Sequence, residues 1–256
     1  MPRRAKGYWY PPGILYDLAF KIMLRRVRRK VARIVERKGL YPWLDVCSGT
    51  GDQLRTAHTA QSAGRARRRG RRDAPQARIA HSDPASSHRS VPDPEYDAVG
   101  RGMRARNLAI GLDMHLGFVR YAAARAPGVP FVCGDAARLP FRDESVRAIS
   151  ISFGLHDKNP EQRKAIVQEA RRALDPDGKL IAVDFERPWN AESRIGALFS
   201  WAIERSAPRE HYRNGREFLR SGGLRGFLRA GGFLEVERRD VKTGSLAIVV
   251  ARPAAR

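Results

Sequence analysis

The chain has 256 residues, 42% of them hydrophobic, and its 49 basic and 27 acidic side chains leave a net charge of +22. This length and apolar content fit a globular protein with a sizeable core, and two cysteines, Cys47 and Cys133, are too few for a disulfide scaffold. No apolar run reaches the roughly 18 residues that a membrane-spanning helix needs, and residues 1–13 lack the pattern of a secretory signal. We therefore expect a cytoplasmic protein.

The positive charge is concentrated in two segments. Residues 1–40 carry 12 basic and 2 acidic side chains, and residues 56–107 carry 11 and 5. A strongly basic surface favours an anionic partner, either nucleic acid or an anionic membrane. An arginine- and alanine-rich composition can also reflect codon usage, so the total charge alone does not identify a partner.

The first element in the chain is an amphipathic helix predicted over residues 14–38. Apolar residues recur there at spacings of three and four, and basic residues occupy the remaining faces. Two interpretations stay open, and they are not exclusive: the helix lies on an anionic membrane surface, and the helix packs on the protein with its basic face in solvent. We assign residues 1–40 to a basic helical segment that caps a domain formed by residues 41–256.

The second basic segment, residues 56–107, has neither helical nor strand periodicity and is rich in Ser, Pro, Gly, Ala and Arg. Such a composition cannot bury enough apolar surface to offset the entropy of ordering. We expect a disordered insertion at about residues 60–106, with its first few residues completing a helix. The run from Arg65 to Arg72 is either part of a solvated linker or a contact with RNA or anionic lipid.

The rest of the chain alternates strands and helices. The predicted strands are Trp43–Cys47, Leu108–Leu112, Pro130–Cys133, Ala148–Ser152 and Lys179–Phe185. The predicted helices are Met114–Ala126, Glu161–Leu174, Glu192–Arg205 and Glu217–Arg229. This order predicts an α/β fold, a Rossmann-like parallel sheet with helices on both faces. Residues 231–253 predict two more strands joined by a Lys-Thr-Gly turn, so that an antiparallel C-terminal hairpin completes a mostly parallel seven-stranded sheet.

The first predicted strand leads into a loop that combines glycines with acids, DVCSGTGD from Asp45 to Asp52. Gly49 and Gly51 allow a tight turn and the close approach of a ligand to the backbone. The third glycine of a dinucleotide-binding loop is replaced by Leu54. Because Asp52 would repel a pyrophosphate, the two carboxylates favour a positively charged ligand without phosphate. S-adenosylmethionine, with its ammonium and sulfonium groups, has that chemistry.

Further polar residues follow the next predicted strands, at the sheet edge where ligands bind in open α/β folds. Asp113 is placed to bond ribose hydroxyls, and it lies 64 residues after Gly49 instead of the usual roughly 20. The predicted insertion accounts for the excess. Asp135 is placed to accept a hydrogen bond from an adenine amino group and the backbone of Ala136 to bond the adenine ring, while Ser152 ends the fourth strand.

Four stretches resemble the ubiquinone/menaquinone biosynthesis C-methyltransferase (UbiE-type) family: DVCSGTGD, GLDMH, GDAARLPFRDESVRAISISFGL and RALDPDGKLIAVDFE. The resemblance covers residues 13–55 and 108–252. It implies a class I methyltransferase fold with S-adenosylmethionine as the cofactor. It implies cofactor contacts by Tyr16, Asp113, Met114, Asp135, Ala136 and Ser152, in addition to the glycine loop.

The resemblance also implies a lipid quinol, of the demethylmenaquinol or ubiquinol type, as the acceptor of the methyl group on carbon. For such an acceptor we expect a peripheral contact with the inner face of an anionic membrane and no nucleic-acid partner. Where the family has Arg-Asn after ISFGL, however, this chain has His156-Asp157. Three alternatives therefore stay open: an N- or O-methyltransferase of another lipid or small molecule, an RNA methyltransferase, and a binding module without activity.

A quinol carbon becomes nucleophilic only when its hydroxyl loses a proton. His156 is the candidate general base because imidazole titrates near neutral pH, and Asp157 either orients it or caps a helix. The alternative is that His156 only lines the pocket. His211 and Tyr212 either form part of the acceptor wall or lead into a helix, and we expect no metal site.

Overall fold

The computed structural model describes residues 13–72, 108–195, 197, 205, 208–241 and 244–255. The strands are β1 (Trp43–Val46), β2 (Ala109–Asp113), β3 (Phe131–Cys133), β4 (Val146–Ser152), β5 (Leu174–Phe185), β6 (Phe233–Val241) and β7 (Leu246–Pro253). The helices are α1 (Gly13–Lys38), α2 (Asp52–Arg72), α3 (Leu116–Arg125), α4 (Pro160–Ala173), α5 (Arg209–Arg220) and α6 (Gly223–Ala230). Residues 191–195 form a further short helical segment.

The seven strands form one sheet in the order β3-β2-β1-β4-β5-β7-β6. Strands β1 to β5 are parallel, while β7 pairs antiparallel with both β5 and β6. The expected seven-stranded, mostly parallel sheet with antiparallel C-terminal strands is therefore confirmed. Chain order reverses between β1 and β4, and in open α/β sheets such a reversal leaves a crevice at the carboxyl ends of the strands.

Helices cover both faces of the sheet, because the strands carry apolar side chains on both of their faces. On one face, apolar side chains of β1, β4, β5 and β7 pack against α4 and α6. On the other face, the side chains that alternate with these pack against α1 and α2. Helix α4 begins sharply, because Asn159 and Gln162 form a reciprocal capping box around Pro160.

The orientation of α1 confirms that the basic helix packs on the protein. Its apolar stripe packs into the core, where Val31 and Val35 are fully buried, and its arginines Arg25, Arg29 and Arg33 are exposed. Helix α1 therefore packs on the domain and turns its basic face outward. In the parts of the chain that the structure describes, no helix is long and apolar enough to cross a membrane.

Two predicted elements differ from the structure. The single helix expected over Glu217–Arg229 is two helices, α5 and α6, because Gly222 adopts a left-handed conformation with φ of +103° between them. Helix α2 continues to Arg72, further into the basic segment than its composition predicts, since an arginine- and alanine-rich stretch has a good intrinsic helix propensity.

Some predictions fall on residues that are not described. Residues 73–107, which make up most of the predicted insertion, lie outside the described parts, as do Lys242 and Thr243 of the predicted turn. The helix predicted over Glu192–Arg205 is observed over its first residues, and residues 198–204 lie outside the described ranges.

Candidate cofactor and acceptor site

The glycine loop between β1 and α2 is shaped by two glycines with different surroundings. Gly49 has φ of +52°, and a side chain added there would meet no atom within 4 Å, so its backbone faces open space. Gly51 has φ of +71°, and an added Cβ would lie 2.7 Å from Ala122 Cβ and from Phe131 Cζ. Gly51 thus packs the loop against the domain, while Gly49 leaves room for a ligand beside the backbone.

Asp113, the last residue of β2, is tied to this loop. Its Oδ2 accepts a hydrogen bond of 2.8 Å from the Gly49 amide, and its Oδ1 accepts one of 2.9 Å from the His115 amide. A carboxylate has about four acceptor positions, so the two oxygens retain capacity for donors from a ligand. The carboxylate therefore lies beside the open backbone of Gly49, as a ribose-binding acid requires.

Three neighbours of Asp113 complete the surface for a nucleoside. Met114 is 61% exposed, an unusual environment for a large apolar side chain. Asp135 is also exposed, and its Oδ1 accepts a hydrogen bond of 2.9 Å from the Ala137 amide, which fixes the turn around the buried Ala136. An apolar side chain flanked by two carboxylates fits the adenosine part of S-adenosylmethionine.

Asp45 does not lie at this surface, in contrast to the prediction that it contacts the cofactor. It is 2% exposed, and its Oδ1 accepts hydrogen bonds from Ser150 Oγ at 2.5 Å and from Gln53 Nε2 at 2.6 Å. Ser150 also accepts a hydrogen bond from the indole of Trp43. Burial raises the pKa of Asp45 to about 7, so this carboxyl group belongs to a polar network inside the sheet.

Asp52 likewise has a different environment from the one that the sequence predicts. Its carboxylate, 3% exposed, accepts hydrogen bonds from Arg55 at 2.7 Å and from Arg28 of α1 at 3.1 Å. Two guanidinium groups therefore neutralise the charge that was expected to attract the sulfonium. The structure assigns Asp52 to the packing of α1 on α2.

Gln53 and Ser152 connect the loop to the fourth strand. The Ser152 hydroxyl donates a hydrogen bond of 3.0 Å to Gln53 Oε1, and Ser152 is half-buried at the carboxyl end of β4. The predicted cofactor contact of Ser152 is thus placed at the crevice, but its hydroxyl already has a partner. Sequence reasoning missed Gln53, since nothing in the chain signals that this amide meets strand residues about a hundred positions away.

His156 follows β4 and is held by Asp184 at the end of the neighbouring strand β5. The His156 Nδ1 lies 2.8 Å from Asp184 Oδ1, and Asp184 Oδ2 accepts from the amides of Leu155 and His156 at 3.1 and 3.3 Å. Both side chains are buried. A neutral imidazole that donates its Nδ1–H to this carboxylate keeps its lone pair on Nε2. Asp184 was missed, although an acid at a strand end beside β4 is a usable signal.

Of the two roles predicted for Asp157, the helix cap is wrong. The cap of α4 is Asn159, and Asp184 contacts the His156 ring. Asp157 Oδ2 pairs instead with Lys158 Nζ at 2.6 Å, and although burial raises the pKa of Asp157, Lys158 and His156 together lower it below its usual value. Among the described residues, its buried Oδ1 has no hydrogen-bond partner, so Asp157 presents an ionised acceptor beside His156.

The acceptor side of the crevice includes residues of α5. The His211 ring lies 5.2 Å from the His156 ring and nearly perpendicular to it, and Phe185 packs against His156 at 4.7 Å. His211 and Tyr212 are inside α5 and do not precede it. Tyr16 lies in α1, but its side chain is outside the described part of the structure.

A family model described as a methyltransferase domain matches residues 97–182. Those residues contain β2 to β4 and α4, with Asp113, Asp135, Ser152 and His156. Together with the sheet order, this match confirms the predicted class I methyltransferase fold, and S-adenosylmethionine is the cofactor that the match implies.

Within that class, the chain is similar to proteins named demethylmenaquinone methyltransferase. One from Renibacterium salmoninarum is 42% identical over 79 residues, which cover 31% of this chain and 32% of the relative. Another from Mycobacterium sp. is 31% identical over 155 residues, which cover 56% of this chain and 65% of the relative. The chain thus spans less than two thirds of the length of these curated relatives.

Solved structures support the fold alone. A SAM-dependent methyltransferase from Aquifex aeolicus has a TM-score of 0.51 at 16% identity, covering 95% of this chain and 98% of that one. An O-methyltransferase family protein from Burkholderia thailandensis has a TM-score of 0.55 at 13% identity, covering 94% and 59% of the two chains. At this level of identity the solved structures do not identify the methyl acceptor.

Proposed function

We propose that the protein transfers the methyl group of S-adenosylmethionine to a ring carbon of a lipid quinol of the demethylmenaquinol type. The observation that carries the proposal is the similarity to proteins named demethylmenaquinone methyltransferase. A buried imidazole–carboxylate pair at the carboxyl edge of the sheet supports it, because carbon methylation of a quinol requires a base.

The cofactor would be held by the surface that the loop and the next two strands form. Asp113 would accept hydrogen bonds from the ribose hydroxyls, and Asp135 with the Ala136 backbone would bind the adenine ring against Met114. Gly49 supplies the open backbone beside the ribose, and Gly51 keeps the loop packed. The cofactor supplies a methyl carbon activated by its sulfonium, so positioning provides most of the catalysis.

His156 would accept the proton of the quinol hydroxyl. Asp184 holds Nδ1, which leaves the basic lone pair on Nε2 and stabilises the ring after it has taken the proton. The electron pair of the O–H bond then reaches the ring carbon, which forms the new C–C bond as the S–CH₃ bond breaks. The hydrogen on that carbon would then leave as a proton to solvent, which restores the aromatic ring, and His156 would return its proton to the oxygen, so the products are the methylated quinol, S-adenosylhomocysteine and one proton.

Asp157 and His211 would position the acceptor ring. Asp157 Oδ1, which has no hydrogen-bond partner among the described residues, would accept from a hydroxyl of the quinol, and the rings of His211 and Phe185 flank His156. An N- or O-methyltransferase of another small molecule would use the same cofactor surface, so the acceptor has to be identified by its chemistry.

Quinone profiling by mass spectrometry in a strain that lacks the gene tests this proposal. We expect a quinone lighter by one methylene unit to accumulate, and the wild-type gene to restore the heavier quinone. A gene encoding Asp113→Ala should fail to restore it, since the ribose contact is lost. An unchanged quinone pool in the deletion strain would reject the quinol as the acceptor, while leaving cofactor binding to be measured separately.

A further inference from the structure

A basic groove is lined by residues of α1 and α2. Its volume is about 620 Å³, and its lining includes five arginines, Arg25, Arg28, Arg29, Arg33 and Arg55. The acids in the walls are Glu36 and Asp52. Five positive and two negative side chains leave the groove with a net charge of +3.

The arginines of the groove fall into two groups. Arg28 and Arg55 are bound to Asp52 and are therefore structural. Arg25, Arg29 and Arg33 are exposed at positions i, i+4 and i+8 of α1, and within the described residues none of them forms an ion pair. Residues at this spacing share one face of a helix, so these three form a single row of available guanidinium groups.

We propose that this groove binds the phosphate groups of anionic phospholipids and holds the protein on a membrane surface. Guanidinium groups bind phosphate oxygens in pairs of parallel hydrogen bonds. The row from Arg25 to Arg33 spans roughly 12 Å at 1.5 Å per residue, which is too long for a single phosphate ion and suits several neighbouring headgroups.

The structure favours a lipid surface over RNA. Binders of single-stranded nucleic acid combine a basic groove with aromatic side chains on which bases stack. Among the described residues that line the groove, Tyr41 alone is aromatic, and its hydroxyl is bonded by Gln61. Because the apolar stripe of α1 is buried in the domain, the contact is electrostatic and does not require α1 to insert into the bilayer.

The groove also has a defined relation to the active-site edge. Its lining includes Asp52, which directly follows Gly51 of the cofactor loop, and residues of α2 as far as Gln61. Docking through the groove would therefore bring the cofactor edge of the sheet close to the bilayer surface. The binding itself does not depend on the proposed acceptor, since it needs only the arginines.

Sedimentation with vesicles tests the proposal without any measurement of turnover. The full chain would be mixed with vesicles of phosphatidylcholine containing phosphatidylglycerol, with pure phosphatidylcholine vesicles, with inorganic phosphate and with an unstructured RNA. The variant R25Q/R29Q/R33Q removes the row. The control R220Q/R225Q/R229Q removes the same charge from exposed positions on α5 and α6, on the opposite face of the sheet.

We expect the wild-type chain to bind anionic vesicles and not neutral ones. Each basic residue close to an anionic surface contributes roughly a fivefold change in partitioning, so the groove variant should bind about a hundredfold more weakly, while the control should lose much less. Equal losses in the two variants would show that net charge, and not the groove, holds the protein. Binding of RNA or inorganic phosphate without binding to anionic vesicles would also overturn the proposal.

Discussion

Asp45 shows how far the environment of a single carboxyl group can depart from what its sequence motif indicates. Acids beside a glycine loop predict contacts with a cationic cofactor, but Asp45 is enclosed by Ser150 and Gln53. Its pKa is raised to about 7 by burial. Over the physiological range this group therefore changes its protonation inside the sheet, and the effect should be visible in stability.

Asp45→Asn removes this titration and gives the first prediction. Between about pH 4 and pH 7 the unfolded chain loses the Asp45 proton while the folded chain keeps it, so raising the pH favours unfolding. The free energy of unfolding of the wild type, relative to the variant, should fall by up to about 1.4 kcal/mol per pH unit over this window. Above it the difference should stay constant. Urea unfolding of both proteins at several pH values measures this difference in unfolding free energy. A difference that does not change with pH would contradict the raised pKa of Asp45.

Asp184 provides the second test at the scale of residues. His156→Ala should lower kcat by roughly 10²- to 10⁴-fold, as expected for loss of a general base, with the cofactor affinity unchanged. Asp184→Asn should lower kcat less and move the acidic limb of the pH–rate profile to lower pH, because it removes the carboxylate that stabilises the protonated imidazole.

The control for Asp184 is Asp177→Asn, which changes an exposed acid towards the other end of the same strand. We expect it to keep the wild-type kcat and pH profile. If Asp184→Asn and Asp177→Asn gave the same profile, Asp184 would be a structural partner of the Leu155 and His156 amides and would have no part in proton transfer.

At the scale of elements, the glycine loop separates packing from cofactor binding. Gly51→Ala forces a side chain into Ala122 and Phe131 at a positive φ, and it should lower the free energy of unfolding by about 2 kcal/mol or more. Gly49→Ala meets no protein atom, so its conformational strain alone should cost about 1 kcal/mol.

Cofactor affinity should respond differently from stability in these two variants. The added methyl group of Gly49→Ala occupies the open space beside Asp113, so calorimetric titration should show weaker binding of S-adenosylmethionine despite a nearly normal stability. A Gly49→Ala protein that binds the cofactor as the wild type does would mean that the ligand does not approach this backbone.

The elements that could be predicted from the sequence are those defined by their own periodicity. The apolar pattern of residues 14–38 gives α1, and the short apolar runs give β1 to β5 within a few residues. The helical extension to Arg72 was missed because the apolar pattern ends well before the helix does. The break at Gly222 was missed because an apolar helical pattern continues across it.

At the scale of the whole molecule, the sequence predicts the order of the elements but not the partners of buried polar groups. The contacts Arg28–Asp52, His156–Asp184 and Ser150–Asp45 join residues 24, 28 and 105 positions apart. These pairs form only when the strands are arranged as β1, β4 and β5 with α1 packed alongside. Asp113 and Asp135 lie at the sheet edge where the sequence predicts them. Each is at or just beyond the carboxyl end of a strand, and the strand determines that position.

The most direct test of the central claim is methyl transfer by the purified chain. The protein would be incubated with S-adenosylmethionine carrying a labelled methyl group and with chemically reduced demethylmenaquinone in detergent micelles, and the quinone would be analysed by mass spectrometry. We predict label on a carbon of the quinone ring, lost with His156→Ala and with oxidised quinone as substrate. A protein that binds S-adenosylmethionine but leaves the quinone ring unlabelled would contradict the account.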